Sequence, residues 1–304
     1  MKNTTHSIAM LMPYFGKWPG WIDCFIDSCA HNSSIDFYFF TDCPIPAGTS
    51  PNLHFTNLSF GDYCQLASKK LGIDFHPSCA RKLCDVKPFY ALIHNDILEK
   101  GGYDFWGFGD IDLVWGDIRR FCTDETLSKY DVISTHADRM SGHFALIRNR
   151  TDLNAACLRI KGWKTFLESA DNHTLDEERF SILFLPWAKV LWKLHRYIWL
   201  NHCDKFRDEF VSYSNFCQRV NHLLGLDRRR VYMREQYTTP WFSANHDTIY
   251  EPYHWDYTDG HIVEHPTGKE IIYLHFLALK HRWTMTEFPT SSRITINAEG
   301  IKAQ

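Results

Sequence analysis

Short apolar runs alternate with helix-period segments along the first third of the chain, a pattern that predicts an α/β architecture with parallel strands. Ile8 to Met12 reads as a strand stopped by Pro13. Trp21, Ile22, Phe25, Ile26 and Cys29 recur at helical spacing, and Phe37 to Phe40 forms a second buried strand ending at Thr41 and Asp42. These elements make one βαβ unit. A helix from about Asp62 to Leu71 is ended by Gly72. Another starts near Pro88, which suits a first helical turn, buries Phe89, Leu92, Ile93 and Ile97, and stops at Gly101 and Gly102.

The next stretch, from Tyr103 to Gly109, is an aromatic strand carrying Asp110 and Asp112 at its C-terminal end, where open α/β sheets bind their ligands. Further strands are expected at Asp131 to Thr135 and His143 to Arg148, and a helix at Asp152 to Ala170. From 183 to 230 the pattern turns helical, aromatic and basic, with Trp187, Trp192 and Trp199 among Lys189, Lys193, Arg196, Arg207 and Arg228 to Arg230. A last β element, Ile271 to Phe276, follows the turn at Asp259 and Gly260, and the chain after Trp283 reads as polar and loose. With no internal repeat and no Pro/Ser linker, one elaborated domain is expected.

Composition narrows this picture only modestly. At 304 residues and 44% hydrophobic, the chain can bury a large core. A formal net charge of -3 provides no field that would gather nucleic acid, so an anionic ligand must meet a local site. The apolar run at Ile8 is too short for a signal peptide or a membrane span, and 10 cysteines without a CxxC pair read as reduced thiols of a cytoplasmic protein. The aromatic content of 15% fills cores in most proteins and can also stack on sugar rings.

The chemistry concentrates in Trp106-Gly-Phe-Gly-Asp-Ile-Asp-Leu-Val-Trp-Gly-Asp117. An Asp-x-Asp leaving a strand turns both carboxylates the same way, so Asp110 and Asp112 can share one hard cation such as Mn²⁺ or Mg²⁺. The flanking glycines let a backbone or a ligand come close, and a diphosphate bridged by such a metal departs readily. The three-residue pattern is common, and a solvated strand end is its ordinary reading.

The stretch from Ile8 to about Trp283 resembles the GT-A fold glycosyltransferases of bacterial surface-polysaccharide biosynthesis (O-antigen, capsule and lipopolysaccharide), whose aspartate pair ends a central strand and binds the donor's metal. The resemblance implies a Rossmann-like, mixed but mostly parallel sheet flanked by helices. It implies a nucleotide-binding half over 1–135, an acceptor half over 136–283 with a helical insertion at about 183–230, and a polar tail over 284–304. Nucleotide-sugar contacts would come from Pro13, Tyr14, Phe15, Asp42 and Asp110, and from Asp85 and Lys87 within the Lys82 to Pro88 segment. A charged helix start explains Lys82, Asp85 and Lys87 equally well.

In the family a late histidine completes the metal shell and a lysine pairs with the diphosphate, roles that fall to His275 and Lys280. The family's glycine between them and proline after the lysine are missing. Asp176, Glu177 and Glu178 stand where an acid faces the acceptor hydroxyl or acts as base, although Thr174-x-x-Glu177 also reads as a capping box. His143 would contact the acceptor. The basic and aromatic stretch 185–200 could lie on an anionic membrane surface at the cytoplasmic face and meet a lipid-linked glycan, while a core helix with snorkelling cations is the simpler account.

The implied activity is transfer of a hexose, from a UDP-sugar, to a hydroxyl of a bacterial glycan. The late histidine and lysine favour retention, whereas an Asp176 or Glu178 base would suit inversion. Two other readings stand beside it. One is a metal-dependent phosphoesterase or nuclease using Asp110, Asp112 and Asp117. The other is a glycan-binding protein that keeps the fold without the chemistry.

Overall fold

The computed structural model describes residues 5–46, 50–201, 206–240, 254–277, 279–285, 288–289 and 292–304; the side chains of 198–201 and 206–209, and with them Trp199 and Arg207, lie outside the description. A seven-stranded sheet is built from β1 (Ile8–Pro13), β2 (Asp36–Thr41), β3 (Leu53–Asn57), β4 (Phe105–Gly109), β6 (Val132–Ser134), β7 (Phe144–Arg148) and β8 (Val231–Met233), with β5 (Leu113–Trp115) branching off after β4. Its order is β3-β2-β1-β4-β7-β6-β8. Every pairing is parallel except those of β7, which runs antiparallel to β4 and to β6. The fold is thus α/β, with a mixed, mostly parallel sheet.

The central strands are apolar without interruption because helices cover both faces. Ala9 and Leu11 of β1 turn to a core shared with the helix Phe60–Leu71, while Ile8, Met10 and Met12 turn to one shared with the helix Ile22–His31. The first of these helices is capped by Ser59, whose hydroxyl accepts from the Asp62 N–H, and ended by Gly72 at φ 64.

Several expected elements differ. The helix expected to start at Pro88 is instead broken into short helical pieces over Ala80–Lys82, Leu83–Val86, Lys87–Phe89, Tyr90–Ile93 and Asn95–Gly101. Leu92 and Ile97 stay half-buried, and Leu98 takes the core position. The helix expected over Asp152 to Ala170 is split into Thr151–Asn154, Ala156–Arg159 and Trp163–Glu168, with Gly162 in the left-handed region at φ 77 just before the last piece. β3 was not anticipated: it is an edge strand whose outer half is exposed, so it lacks a buried strand's apolar run.

The largest correction concerns the end of the chain. Residues 292–304, expected to be loose, carry two paired strands. A five-stranded antiparallel sheet in the order β11-β10-β9-β13-β14 is formed by β9 (His254–Thr258), β10 (His261–His265), β11 (Lys269–Ile271), β13 (Arg293–Ile296) and β14 (Ile301–Ala303). Ile294, Ile296 and Ile301 pack with Trp255, Tyr257 and Ile262 into its core, which also takes up Val114 of β5 and Cys24 of the helix Ile22–His31. Between β11 and β13 lies β12 (Tyr273–His275), which pairs with β5. Between 183 and 230 the helices Ala188–Asn201 and Phe206–Leu223 pack on each other.

Candidate functional site

The site is assembled by the small ladder of β5 and β12. Leu113 lies opposite His275, so the residue preceding β5, Asp112, meets the end of β12. The Phe276 N–H donates to the Asp112 carbonyl at 2.8 Å, and the Asp112 carboxylate stands 3.5 Å from His275 Nε2 and in ion-pair contact with Lys280. Trp21 closes the other side, its indole N–H donating to the Ile111 carbonyl. Asp110, Asp112 and His275 can each offer a ligand atom, all within 4.8 Å of one another. Two carboxylates and one imidazole fit a hard divalent ion with room for further oxygen ligands. Burial alone would raise the Asp112 carboxyl, but His275 and Lys280 outweigh it and hold it far below the usual range.

The glycines around the aspartates make room for the protein's own atoms. A Cβ on Gly107 would meet the Ala145 carbonyl at 2.6 Å, one on Gly109 the Trp115 ring at 3.1 Å, and one on Gly116 the Ile271 carbonyl at 2.5 Å. Close approach of neighbouring backbone and rings, rather than of a ligand, is what these positions require.

Asp110 is tied to Lys87, which donates to its carboxylate at 2.5 Å and to the Gly142 carbonyl at 2.7 Å. Asp176 stands 3.6 Å from the same ammonium. Lys87 is buried, and burial would discharge it, yet the Asp110 and Asp176 carboxylates keep its pKa well above the ordinary lysine value. Asp176 behaves oppositely. Burial pushes its carboxyl up to about 7, with Lys87 opposing and Glu177 and Asp110 reinforcing.

Asp85 does not reach this cleft. It is fully buried, paired with Lys82 at 2.9 Å, and accepts from the His173 and Leu175 N–H groups. Lys82 in turn donates to the Phe166 carbonyl at 2.7 Å and to that of Asp171. The pair therefore fastens the segment that delivers Asp176. It is neither a donor contact on a cavity wall nor a solvated helix start. Thr174 sits within that segment in the left-handed region at φ 49, where a β-branched residue is strained by roughly 1–3 kcal/mol, and its hydroxyl caps nothing. The capping box is absent. Glu177 instead accepts from the Gly142 N–H at 3.3 Å and stands 3.8 Å from Arg139, while Glu178 is exposed and lines a separate small cavity with Lys189 and Lys193.

Two cavities flank the Asp110, Asp112 and His275 cluster. The first, of about 640 Å³, is walled by Pro13, Tyr14 and Phe15 from the end of β1, by Lys87, and by Asp110, Asp112 and Lys280. Trp21, Arg81, Cys84 and Tyr90 also line it, residues that sequence reasoning passed over. Asp42 is exposed and does not line it; its carboxylate accepts from the Gly16 N–H at 2.7 Å and so shapes the loop after β1. The second cavity, of about 490 Å³, lies against His143, His275, Glu177, Arg139 and Trp192. His143 is buried, stacked on His275 with ring centroids 4.1 Å apart, and burial with the nearby His275 and His136 drives its pKa well below the ordinary histidine value.

His143 Nε2, His136 Nε2 and Arg139 Nε, on residues that line this second cavity, find no hydrogen-bond partner among the described residues. Orphaned polar atoms collected along one wall are an opening for a polar ligand. The sequence held a hint of this wall in His136-Ala-Asp-Arg139, just past β6. There Asp138 pairs with Arg139 at 2.8 Å and His136 with Glu235 at 3.1 Å, an arrangement no local pattern discloses. Asp117 is not part of the Asp110, Asp112 and His275 cluster; it caps the turn Ile118–Phe121 by accepting from the Arg120 N–H.

A mostly parallel α/β sheet with an acidic and histidine cluster at the ends of its central strands defines the class: an α/β protein with a candidate divalent-metal cleft. The chain belongs to the family of unknown function DUF6625, whose model matches residues 10–304. Among curated proteins, none is significantly similar. Among solved structures, the crystal structure of the galactosyltransferase LgtC in complex with donor and acceptor sugar analogues is similar at a TM-score of 0.29 and 11% identity, over 56% of this chain and 71% of that one.

Proposed function

We propose that this protein is a glycosyltransferase that moves a hexose from a nucleotide sugar, a UDP-sugar, to a hydroxyl of a bacterial glycan. The observation that carries the reading is the placing of the Asp110, Asp112 and His275 cluster between two cavities, one with cationic groups and the other with unpaired polar atoms. Mn²⁺ or Mg²⁺ held there supplies charge for a departing diphosphate. Lys280 and Lys87 add cationic charge on the same side, and the face of Tyr14, stacked on Trp18, offers a platform for a ring. His143, Glu177, Arg139 and Trp192 then meet the acceptor, and Asp176, kept partly protonated by burial and joined to Asp110 through the shared Lys87 ammonium, is a group able to exchange a proton. Retention is the stereochemical outcome that the late histidine and lysine favour.

The same reading places the acceptor on a lipid at an anionic cytoplasmic membrane surface. Val190, Leu194 and Tyr197 expose an apolar stripe between Lys189, Lys193 and Arg196. No helix among the described residues is long and apolar enough to cross a membrane.

Nucleotide sugars should be screened for thermal stabilisation with and without Mn²⁺, and any donor so found incubated with glycan acceptors. The expected result is stabilisation that needs both nucleotide and metal, followed by release of nucleoside diphosphate with a glycosylated product of retained anomeric configuration. Asp110→Asn and Asp112→Asn should lose transfer while melting cooperatively. Full transfer by either variant overturns the proposal.

A further inference from the structure

A second convergence of metal-ligating side chains lies on the C-terminal sheet. β9 buries Trp255 and Tyr257 on its inner face and turns His254 and Asp256 outward, while β10 buries Ile262 and Glu264 and turns His265 outward. Antiparallel pairing sets His265 directly opposite His254, and Asp256 follows two residues on along the same face. The two imidazoles stack with centroids 4.6 Å apart, and His265 Nε2 stands 3.1 Å from an Asp256 carboxylate oxygen. Each of the three side chains can offer a ligand atom within 4.8 Å of the others.

The carboxylate is held from behind. Thr295, opposite Asp256 on β13, donates its hydroxyl to Asp256 Oδ1 at 2.6 Å, which leaves Oδ2 facing His265. An ordinary surface ion pair accounts for Asp256 and His265 alone. Two imidazoles and one carboxylate stand within ligand distance of one another, and the carboxylate is already oriented by a third strand, which is how metal-binding carboxylates are supported.

We propose that His254, Asp256 and His265 form a transition-metal site of the Zn²⁺ class, separate from the Asp110, Asp112 and His275 cluster. The donor sets differ in kind. Two nitrogens and one oxygen suit Zn²⁺, whereas two oxygens and one nitrogen suit Mn²⁺ or Mg²⁺. Three protein ligands leave a fourth tetrahedral position for water, and an ion seated there crosslinks β9 to β10.

The native protein, stripped with chelator, should be treated with diethylpyrocarbonate in the presence and absence of Zn²⁺, and the modified histidines mapped by mass spectrometry. Zn²⁺ should slow modification of His254 and His265 roughly tenfold or more, Mg²⁺ should not, and His261 of β10, which lies outside the cluster, should remain reactive. In equilibrium dialysis the native protein should retain one Zn²⁺ more than H254Q/H265Q, and Thr295→Val should weaken retention at this site roughly tenfold. Equal modification rates with and without Zn²⁺, or protection of His261 as strong as that of His254, overturns the site.

Discussion

His275 Nε2 stands 3.5 Å from the Asp112 carboxylate because β12 and β5 pair with His275 opposite Leu113. The contact is a product of strand register, so the metal cluster should tolerate loss of the imidazole as a fold while losing affinity. His275→Ala is expected to lower Mn²⁺ affinity by ~10–100-fold with little change in melting temperature of the metal-free protein. Calorimetric titration with Mn²⁺ checks this, and an unchanged affinity removes His275 from the ligand set.

Asp176 should make the protein less stable as pH rises. Its folded carboxyl sits at about 7 through burial, while an unfolded aspartate ionises near ~3.9. Between those values the unfolded chain binds fewer protons than the folded one, so this group subtracts stability through that window, at up to ~1.4 kcal/mol per pH unit, and the loss is complete above it. Asp176→Asn should therefore gain stability relative to the native protein at pH 8 and show no gain at pH 4. Urea unfolding at the two pH values measures the difference.

His94 should act at the acid end. Its ring is buried, stacked on Phe40 at 4.0 Å and hydrogen-bonded to the Tyr63 hydroxyl at 3.0 Å, and burial drops its pKa to about 3. An unfolded histidine takes up its proton near ~6.5, so stability is lost as pH falls from there toward 3. His94→Gln is expected to flatten that part of the profile, whatever its effect at neutral pH. An unaltered slope between pH 6 and pH 4 argues against a neutral buried ring.

Asp85 lines neither of the two cavities beside the cluster and should still matter to activity. Removing it leaves Lys82 buried without its partner and frees the N–H groups of His173 and Leu175, a loss of ~3–5 kcal/mol. Asp85→Ala is expected to melt earlier and to lose turnover more than donor affinity, because the segment it fastens carries Asp176 rather than the donor wall. Comparing kcat with KM under conditions where the variant is folded separates this from a donor contact, which would raise KM instead.

Much of the nucleotide half was legible from one sequence. The strands around Ile8, Phe37 and Phe105 are buried on both faces, so their apolar runs stand out against the helix-period segment between the first two. Gly72 and Gly102 ended their helical segments as left-handed residues because only the local backbone was at stake. Ile294, Ile296 and Ile301 could have been read as strand positions by their alternation, yet polar neighbours masked them, and their burial comes from residues distant in the chain, Trp255, Tyr257 and Ile262 among them.

What the sequence determined by itself was the α/β order of its first half and the Asp110 and Asp112 pair at the end of a strand, since both depend on neighbours along the chain. What only the tertiary structure decided was the company those carboxylates keep. Lys87 and Lys280 reach them, His275 arrives by strand register, and Asp85 is withdrawn into a buried ion pair. Charged side chains carry no local mark of whether they face water or one another. That choice is made by packing across the sheet, where desolvation leaves a charge no option but a partner.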